Sequence, residues 1–148
     1  MEVDVASDIE IERPRSAVAA FAADPANATA WYGNIVSSSL ETPGPLALGS
    51  RIAFEARFLG RALRYTYEVR DLVPGERLVM SAEQGPFPME TTYTWEDAPG
   101  GGTRMTLRNR GQPAGFKKFL GPALARAMRA ANRKDLEALK SLLERQES

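Results

Sequence analysis

Cysteine and histidine are both missing from this chain of 148 residues. Without cysteine there are no disulfides, thiolate metal ligands or cysteine nucleophiles. Without histidine the chain lacks the commonest general base and the commonest transition-metal ligand. The remaining carboxylates form no cluster at the spacing of metal ligands. The sequence therefore predicts neither a metal nor a cofactor, and it excludes many classes of enzyme.

Net charge and long apolar runs are also missing. Lys plus Arg and Asp plus Glu each total 19. The chain thus lacks the basic excess that phosphate binding needs, and we expect no nucleic-acid partner. The amino terminus, 1–4, is acidic, and no stretch approaches the roughly 20 apolar residues that span a bilayer. We therefore expect a cytoplasmic protein without stable membrane insertion.

The strongest pattern present is an amphipathic repeat in the last third of the chain, over 113–146. Apolar side chains recur there at steps of three and four residues, and Arg, Lys and Glu occupy the other side. Because Pro122 is tolerated only in a first helical turn, the helix proper should begin at Gly121 or Pro122, after a separate turn over 116–120. One face of this helix needs a broad apolar partner.

Period-two alternation upstream predicts the strands that would supply this partner. The first strand runs from Val3 to Ile11, and Pro14 and Pro25 then open two short helices. Further strands are expected at 33–40, 52–58, 63–70, 77–83, 89–96 and after Gly102, separated by turns rich in Pro and Gly. A twisted sheet of about seven strands curls, and a helix on its concave side leaves space near one end. The sequence predicts one α+β domain over 1–148.

Side chains on the predicted inner faces would surround this space. Three tyrosines are notable among them, because buried phenols seek hydrogen-bond partners and can orient a polar ligand group. Asn109 falls where the alternation expects an inward side chain, and a buried amide needs partners. An ordinary packed core is the alternative interpretation. The candidate ligand-binding residues are Trp31, Phe54, Phe58, Tyr65, Tyr67, Tyr93, Trp95, Leu107, Asn109, Phe116, Leu120, Leu124 and Met128. Trp31 and Tyr32 would either form part of the mouth of this cavity or simply pack as aromatic side chains at the end of the second short helix.

The order of these elements resembles the SRPBCC superfamily, also called START-like or Bet v 1-like, and within it the bacterial polyketide cyclase/dehydrase branch. The resemblance covers essentially the whole chain and implies a helix-grip fold, with the sheet wrapped round the last helix. It also favours an open cavity over a filled core. The phrases that carry it are Ile11-Glu12-Arg13-Pro14, Asp24-Pro25 followed by Trp31, Gly49-Ser50-Arg51, Phe58-Leu59-Gly60-Arg61, Tyr67-Glu68-Val69, Pro74-Gly75-Glu76-Arg77-Leu78 and Gly102-Thr103-Arg104.

Members of this superfamily bind lipids, sterols, hormones or polyketides, and some catalyse cyclisation or dehydration. The resemblance implies a binding protein that holds a hydrophobic ligand, an aromatic polyketide or lipid-like molecule, between sheet and helix. One alternative is a polyketide cyclase or dehydratase, in which Tyr65, Tyr67, Tyr93 or Asn109 would polarise a carbonyl or relay a proton. Another is a protein-interaction module similar to chaperone cofactors. Catalysis, ligand identity, and the choice between monomer and homodimer stay open.

Overall fold

The computed structural model of the protein describes residues 3–58, 60–82, 88–111 and 121–146. Within these residues seven antiparallel strands form one curved sheet, and a long helix follows them, which confirms the predicted helix-grip architecture. The elements are β1 (Val3–Ile11), α1 (Arg15–Ala23), α2 (Ala28–Trp31), β2 (Ile35–Leu40), β3 (Arg51–Phe58), β4 (Arg61–Val73), β5 (Arg77–Ala82), β6 (Met89–Asp97), β7 (Thr103–Gly111) and α3 (Gly121–Arg145).

The sheet follows a simple meander with one exception at its edge. Each strand from β2 to β7 pairs with the next along the chain, whereas β1 pairs with β7, from Val3 opposite Gly111 to Ile11 opposite Thr103. The two short helices carry the chain from β1 to β2, the opposite edge of the sheet. A twisted sheet of this size curls, and its concave face receives α3.

Local sequence signals account for the helix starts and the first hairpin. The Asp24 carboxylate accepts a hydrogen bond of 3.0 Å from the Ala26 amide, and Pro25 opens a short 3-10 turn that leads into α2. Gly60 joins β3 to β4 at a φ of 78°, a backbone conformation that glycine adopts without strain. Both features agree with the turn chemistry of the sequence.

Helix α3 begins at Gly121, in agreement with the prediction from Pro122. Its apolar face is buried. The predicted turn over 116–120 lies outside the described residues. Near the carboxyl end of the helix, Leu136, Leu139 and Leu143 join the main core, together with side chains from α1, α2 and the sheet. Near its amino end, Leu124 and Met128 pack with β1 in a second cluster that contains Val3 and Val5. The helix is thus anchored at both ends.

Strand β4 extends further than the alternation predicts, to Val73 instead of residue 70. Its pairing with β5 shifts register between Val69 and Asp71, which marks a β-bulge. A bulge inserts one residue and so interrupts the period-two pattern from which a strand is recognised. A second difference concerns β2, which begins at Ile35, two residues later than the predicted start at Gly33.

Replacement of Leu139 by alanine tests the seating of α3. Leu139 is 0% exposed, and we expect Leu139→Ala to lower the free energy of unfolding by about 2–5 kcal/mol because it leaves a cavity in the core. Leu48 is 70% exposed, and the matched change Leu48→Ala should cost less than about 0.5 kcal/mol. Urea unfolding measures both values. Equal stability of the two variants would contradict the packing described.

Candidate functional site

A cavity of about 300 Å³ lies between the concave face of the sheet and the amino-terminal half of α3. On α3 it extends from Ala127 to Asp135, so it begins at the amino-end cluster, to which Met128 belongs. Its wall is mainly apolar, with polar groups from α3, β6 and β7. The lining residues are Tyr32, Asn34, Ile35, Phe54, Ala56, Arg57, Leu63, Tyr65, Tyr67, Met80, Met89, Thr91, Asn109, Ala127, Met128, Ala131, Asn132 and Asp135.

Three aromatic rings form the wall on β3 and β4. The strand register sets Phe54 directly opposite Tyr65, and Tyr67 follows two positions later on the same face. The ring of Tyr67 packs edge to face against Phe54, at 5.5 Å between centroids, and against Tyr65, at 5.4 Å. Edge-to-face contacts hold rings in fixed orientations. This side of the cavity is therefore a preformed apolar surface.

A chain of buried hydrogen bonds crosses the cavity from the sheet to α3. Thr91 and Asn109 are register partners on β6 and β7, and the Thr91 hydroxyl donates to Asn109 Oδ1 at 2.7 Å. Because the only proton of that hydroxyl is used, the Tyr67 hydroxyl, 2.8 Å away, donates to Thr91. Asn109 Nδ2 donates in turn to Asn132 Oδ1 at 3.0 Å. Asn132 Nδ2 has no hydrogen-bond partner among the described residues.

Asp135 places a carboxyl group in the cavity wall one helical turn beyond Asn132. Its side chain is buried, and Asp135 Oδ1 accepts a hydrogen bond of 3.0 Å from the Gly33 amide. Burial raises the pKa of Asp135 to about 6, and this hydrogen bond and the charge of Lys134 offset the rise only in part. No ion pair to Asp135 occurs in the described part of the chain. The group therefore changes charge close to neutral pH.

A pair of tyrosine hydroxyls lies near this carboxyl group. The hydroxyls of Tyr32 and Tyr93 are hydrogen-bonded to each other, and Trp31 packs against both rings. Burial raises the pKa of each phenol well above its usual value, and the nearby charge of Asp135 adds to the rise. Both phenols stay protonated at neutral pH. One of the two hydroxyl protons is not used within the pair and remains available as a donor.

The structure brings part of the predicted set of ligand-binding residues to the cavity. Phe54, Tyr65, Tyr67, Asn109 and Met128 line it. A second group is buried in the core without lining the cavity: Trp31, Tyr93, Trp95, Leu107 and Leu124. The side chains of Phe58, Phe116 and Leu120 lie outside the described residues. A direct contact between ligand and any of these residues stays a prediction.

Several lining residues were not predicted as candidates, among them Thr91 and two polar residues of α3, Asn132 and Asp135. Asn132 and Asp135 lie on the buried face of α3, three positions apart. Their signal was present, because a polar side chain on the apolar stripe of a long helix must find a buried partner or face a cavity. Trp31 lies in the core behind Tyr32, so of the two aromatic residues expected at the mouth only Tyr32 contributes to the wall.

A sheet wrapped round a carboxyl-terminal helix, with a cavity between them, defines the START-like class of proteins. The family model described as polyketide cyclase / dehydrase and lipid transport matches residues 2–144. The chain therefore belongs to this family of the SRPBCC superfamily. A search among curated proteins finds no match.

Solved structures show the same fold at low sequence identity. TTHA0849 from Thermus thermophilus has a TM-score of 0.79 at 18% identity, over 98% of this chain and 99% of that one. The Zhui aromatase/cyclase from Streptomyces sp. R1128 has a TM-score of 0.79 at 16% identity, over 99% and 96% of the two chains. The di-domain ARO/CYC BexL, from the BE-7585A biosynthetic pathway, has a TM-score of 0.77 at 22% identity, over 95% of this chain and 46% of BexL.

Two negative findings concern the described residues alone. No helix among them has the length and apolar character needed to cross a membrane. Likewise, the described ranges contain no group of three or more metal-ligating side chains.

The variant Asp135→Asn tests the burial of the carboxyl group. The pKa of Asp135 rises from 3.8 to about 6 on folding, so its protonated form favours the folded state, and this contribution is lost as pH rises between those values. The wild type therefore loses stability as the pH rises from about 4 to about 7, and the variant does not. Over this range the difference in unfolding free energy between the two should change by about 2 kcal/mol in favour of the variant.

Urea unfolding of both proteins at the two pH values measures this difference. Glu137→Gln is the matched control, because Glu137 is exposed on the opposite face of α3. Its stability relative to the wild type should not change in the same way with pH. A difference between Asp135→Asn and the wild type that is constant with pH would show that the carboxyl group is solvated.

Proposed function

We propose that the protein binds a hydrophobic small molecule, an aromatic polyketide or lipid-like compound, in the cavity between the sheet and α3. The observation that supports this most is the cavity itself, which is apolar along most of its wall and contains a few polar side chains. Small-molecule sites have this composition, because apolar contacts supply affinity and a few polar groups fix orientation.

The size of the cavity favours a ligand over a packed core. Protein interiors are close-packed and contain few voids larger than a water molecule, whereas this cavity measures about 300 Å³. A small apolar ligand would restore the dispersion contacts that the lining side chains lack. The alternative of a protein-interaction module predicts a filled cavity and an exposed apolar patch. Among the described residues the exposed large apolar side chains are Val36 and Leu48.

The arrangement of polar groups favours a ligand with a polar end. The hydrogen-bond chain from Tyr67 to Asn132 fixes the orientation of its members, so these groups are already in place before a ligand enters. Preorganised polar groups orient a ligand without the entropy cost of ordering side chains. A purely aliphatic molecule would offer no partner to the Asn132 amide nitrogen, which has none among the described residues, and an unpaired polar group is costly in a buried site.

A thermal-shift screen with polyaromatic compounds, fatty acids, sterols and isoprenoids tests this function. A ligand at about 100 times its Kd adds about 2.7 kcal/mol to stability, which for a domain of this size raises the Tm by several degrees. We expect at least one apolar class to do so.

Two tryptophan variants on α3 provide the matched comparison. Ala131 lines the cavity, whereas its neighbour Ala130 is exposed. Ala131→Trp should abolish the thermal shift by filling the cavity, and Ala130→Trp should leave it unchanged. Equal ligand responses in the two variants would place the binding site elsewhere.

One observation favours a second function, that of a polyketide cyclase or dehydratase acting in the same cavity. Asp135, with its pKa near 6, is suited to accept a proton at neutral pH from a CH₂ group between two carbonyls. The resulting enolate would attack a second ketone of the same chain, forming a carbon–carbon bond. The new alkoxide would take a proton from a phenol that lines the cavity, such as Tyr65. Water would then leave as protonated Asp135 returns its proton to the new hydroxyl and the phenolate takes the second proton of the former CH₂ group.

A soluble poly-β-ketone with a reactive thioester end tests this second function. The rate of aromatic product formation, followed by absorbance, should exceed the rate in buffer. The catalytic-site variants Asp135→Asn and Tyr65→Phe should lower it by at least tenfold, since general acid–base groups contribute about 10²–10⁴ in rate. Glu137→Gln should not change the rate. If Asp135→Asn is as active as Glu137→Gln, acid–base catalysis by this carboxyl group is excluded.

A further inference from the structure

Asn132 and Asp135 form a polar pair on adjacent turns of α3, and both line the cavity. Asn132 is 5% exposed and Asp135 is 6% exposed. Side chains three positions apart on a helix lie on one face, with about 5–6 Å between their Cβ atoms. The two side chains are therefore close enough for a single functional group of a ligand to contact both.

The two side chains have complementary unmet hydrogen-bonding capacity. Asn132 uses its oxygen to accept from Asn109, and its amide nitrogen has no partner within the described ranges. Asp135 uses one carboxylate oxygen to accept from the Gly33 amide, and an ionised carboxylate can accept several more hydrogen bonds. The pair thus offers a donor at Asn132 and an acceptor at Asp135.

Of a hydroxyl, a ketone, an ether and an ammonium group, the hydroxyl matches this pair most completely. Its lone pairs accept from an amide N–H, and its proton is donated to a carboxylate. A ketone or an ether can only accept, and it would leave the carboxylate without a donor. An ammonium group can only donate, and it would leave the Asn132 amide without an acceptor. Leaving a buried polar group unpaired costs about 1–3 kcal/mol, so the difference between these groups is measurable.

The groups that face Asp135 from other elements are compatible with a neutral hydroxyl. The phenols of Tyr32 and Tyr93 stay protonated, and the Gly33 amide is neutral. The positive charge of Lys134, next to Asp135 in the chain, supports the ionised form of the carboxylate. Arg57 lines the same cavity from β3.

We propose that the ligand of this cavity carries a phenol or alcohol hydroxyl, which accepts from the Asn132 amide and donates to the Asp135 carboxylate. This inference rests on the proposed function, because it requires that a ligand occupies the cavity. It narrows the proposed class of ligand from hydrophobic small molecules in general to those that carry a hydroxyl group.

Three naphthalene probes of similar size test the inference by calorimetry at about pH 7.5, where Asp135 is ionised. They are 2-naphthol, which donates and accepts, 2-methoxynaphthalene, which only accepts, and 2-(aminomethyl)naphthalene, which is a cation. We expect 2-naphthol to bind at least tenfold more tightly than either of the others, and Glu137→Gln to keep this preference. In Asp135→Asn the side-chain oxygen can still accept from the Gly33 amide, but an NH₂ group replaces the oxygen that accepts from the ligand hydroxyl. It should weaken 2-naphthol binding by at least fivefold and leave 2-methoxynaphthalene binding no weaker.

A second measurement requires no variant. At about pH 5 the carboxyl group of the wild type is mainly protonated and can itself donate to an ether oxygen. The preference for 2-naphthol over 2-methoxynaphthalene should therefore shrink between about pH 7.5 and pH 5.

The possible outcomes separate this inference from the function on which it rests. Equal binding of 2-naphthol and 2-methoxynaphthalene, at both pH values, would overturn the hydroxyl site and leave cavity binding in place. Tightest binding by the ammonium probe would also overturn it, since the site would then recognise a cation. Binding of none of the three probes would contradict the proposed function and this inference together.

Discussion

The seating of α3 on the concave face of the sheet is the interaction on which the rest of the structure depends. Leu136, Leu139 and Leu143 anchor one end of the helix in the main core, and Leu124 and Met128 anchor the other end against β1. Apolar burial at both ends stabilises the helix against the sheet, because each buried Leu contributes about 1.5–3 kcal/mol. Between the anchors, small and polar side chains such as Ala131 and Asn132 face the sheet. The cavity is the space that these short side chains leave under a helix held at both ends.

The polar groups in this space are costly to bury, and most of that cost is offset by mutual hydrogen bonds. A single chain of hydrogen bonds through Tyr67, Thr91, Asn109 and Asn132 links three strands to α3. At its end, the Asn132 amide nitrogen has no partner among the described residues. Asp135 has only the Gly33 amide as a hydrogen-bond partner in the described part of the chain, and its raised pKa reflects that incomplete compensation. A fold selected for stability alone would gain from apolar side chains at these positions. Their presence beside an apolar cavity supports the proposal that a ligand binds there.

Much of the fold could be predicted from the sequence, because period-two and period-3.6 patterns report directly which side chains face a core. The alternation of side chains along each strand correctly placed Phe54, Tyr65 and Tyr67 on the inner face of the sheet, where they line the cavity. It also placed Trp95 and Leu107 on the inner face, but alternation does not tell which part of α3 a residue lies against. They lie over the main core and not over the cavity. The end of β4, beyond residue 70, was not predicted because a bulge breaks the alternating pattern. The function of the polar pair on α3 was not predicted because the partners of a polar residue on a buried stripe are not visible in the sequence.

The most direct test of the account is a methyl NMR titration with 2-naphthol, using protein labelled with ¹³C in its methionine methyl groups. Met80, Met89 and Met128 line the cavity, whereas Met105 is fully buried in the core without lining it. Aromatic rings shift the signals of methyl groups that they contact. The account predicts shifts at the three lining methionines and none at Met105. Unchanged signals at saturating probe, or a Met105 shift as large as the others, would contradict binding in the cavity between the sheet and α3.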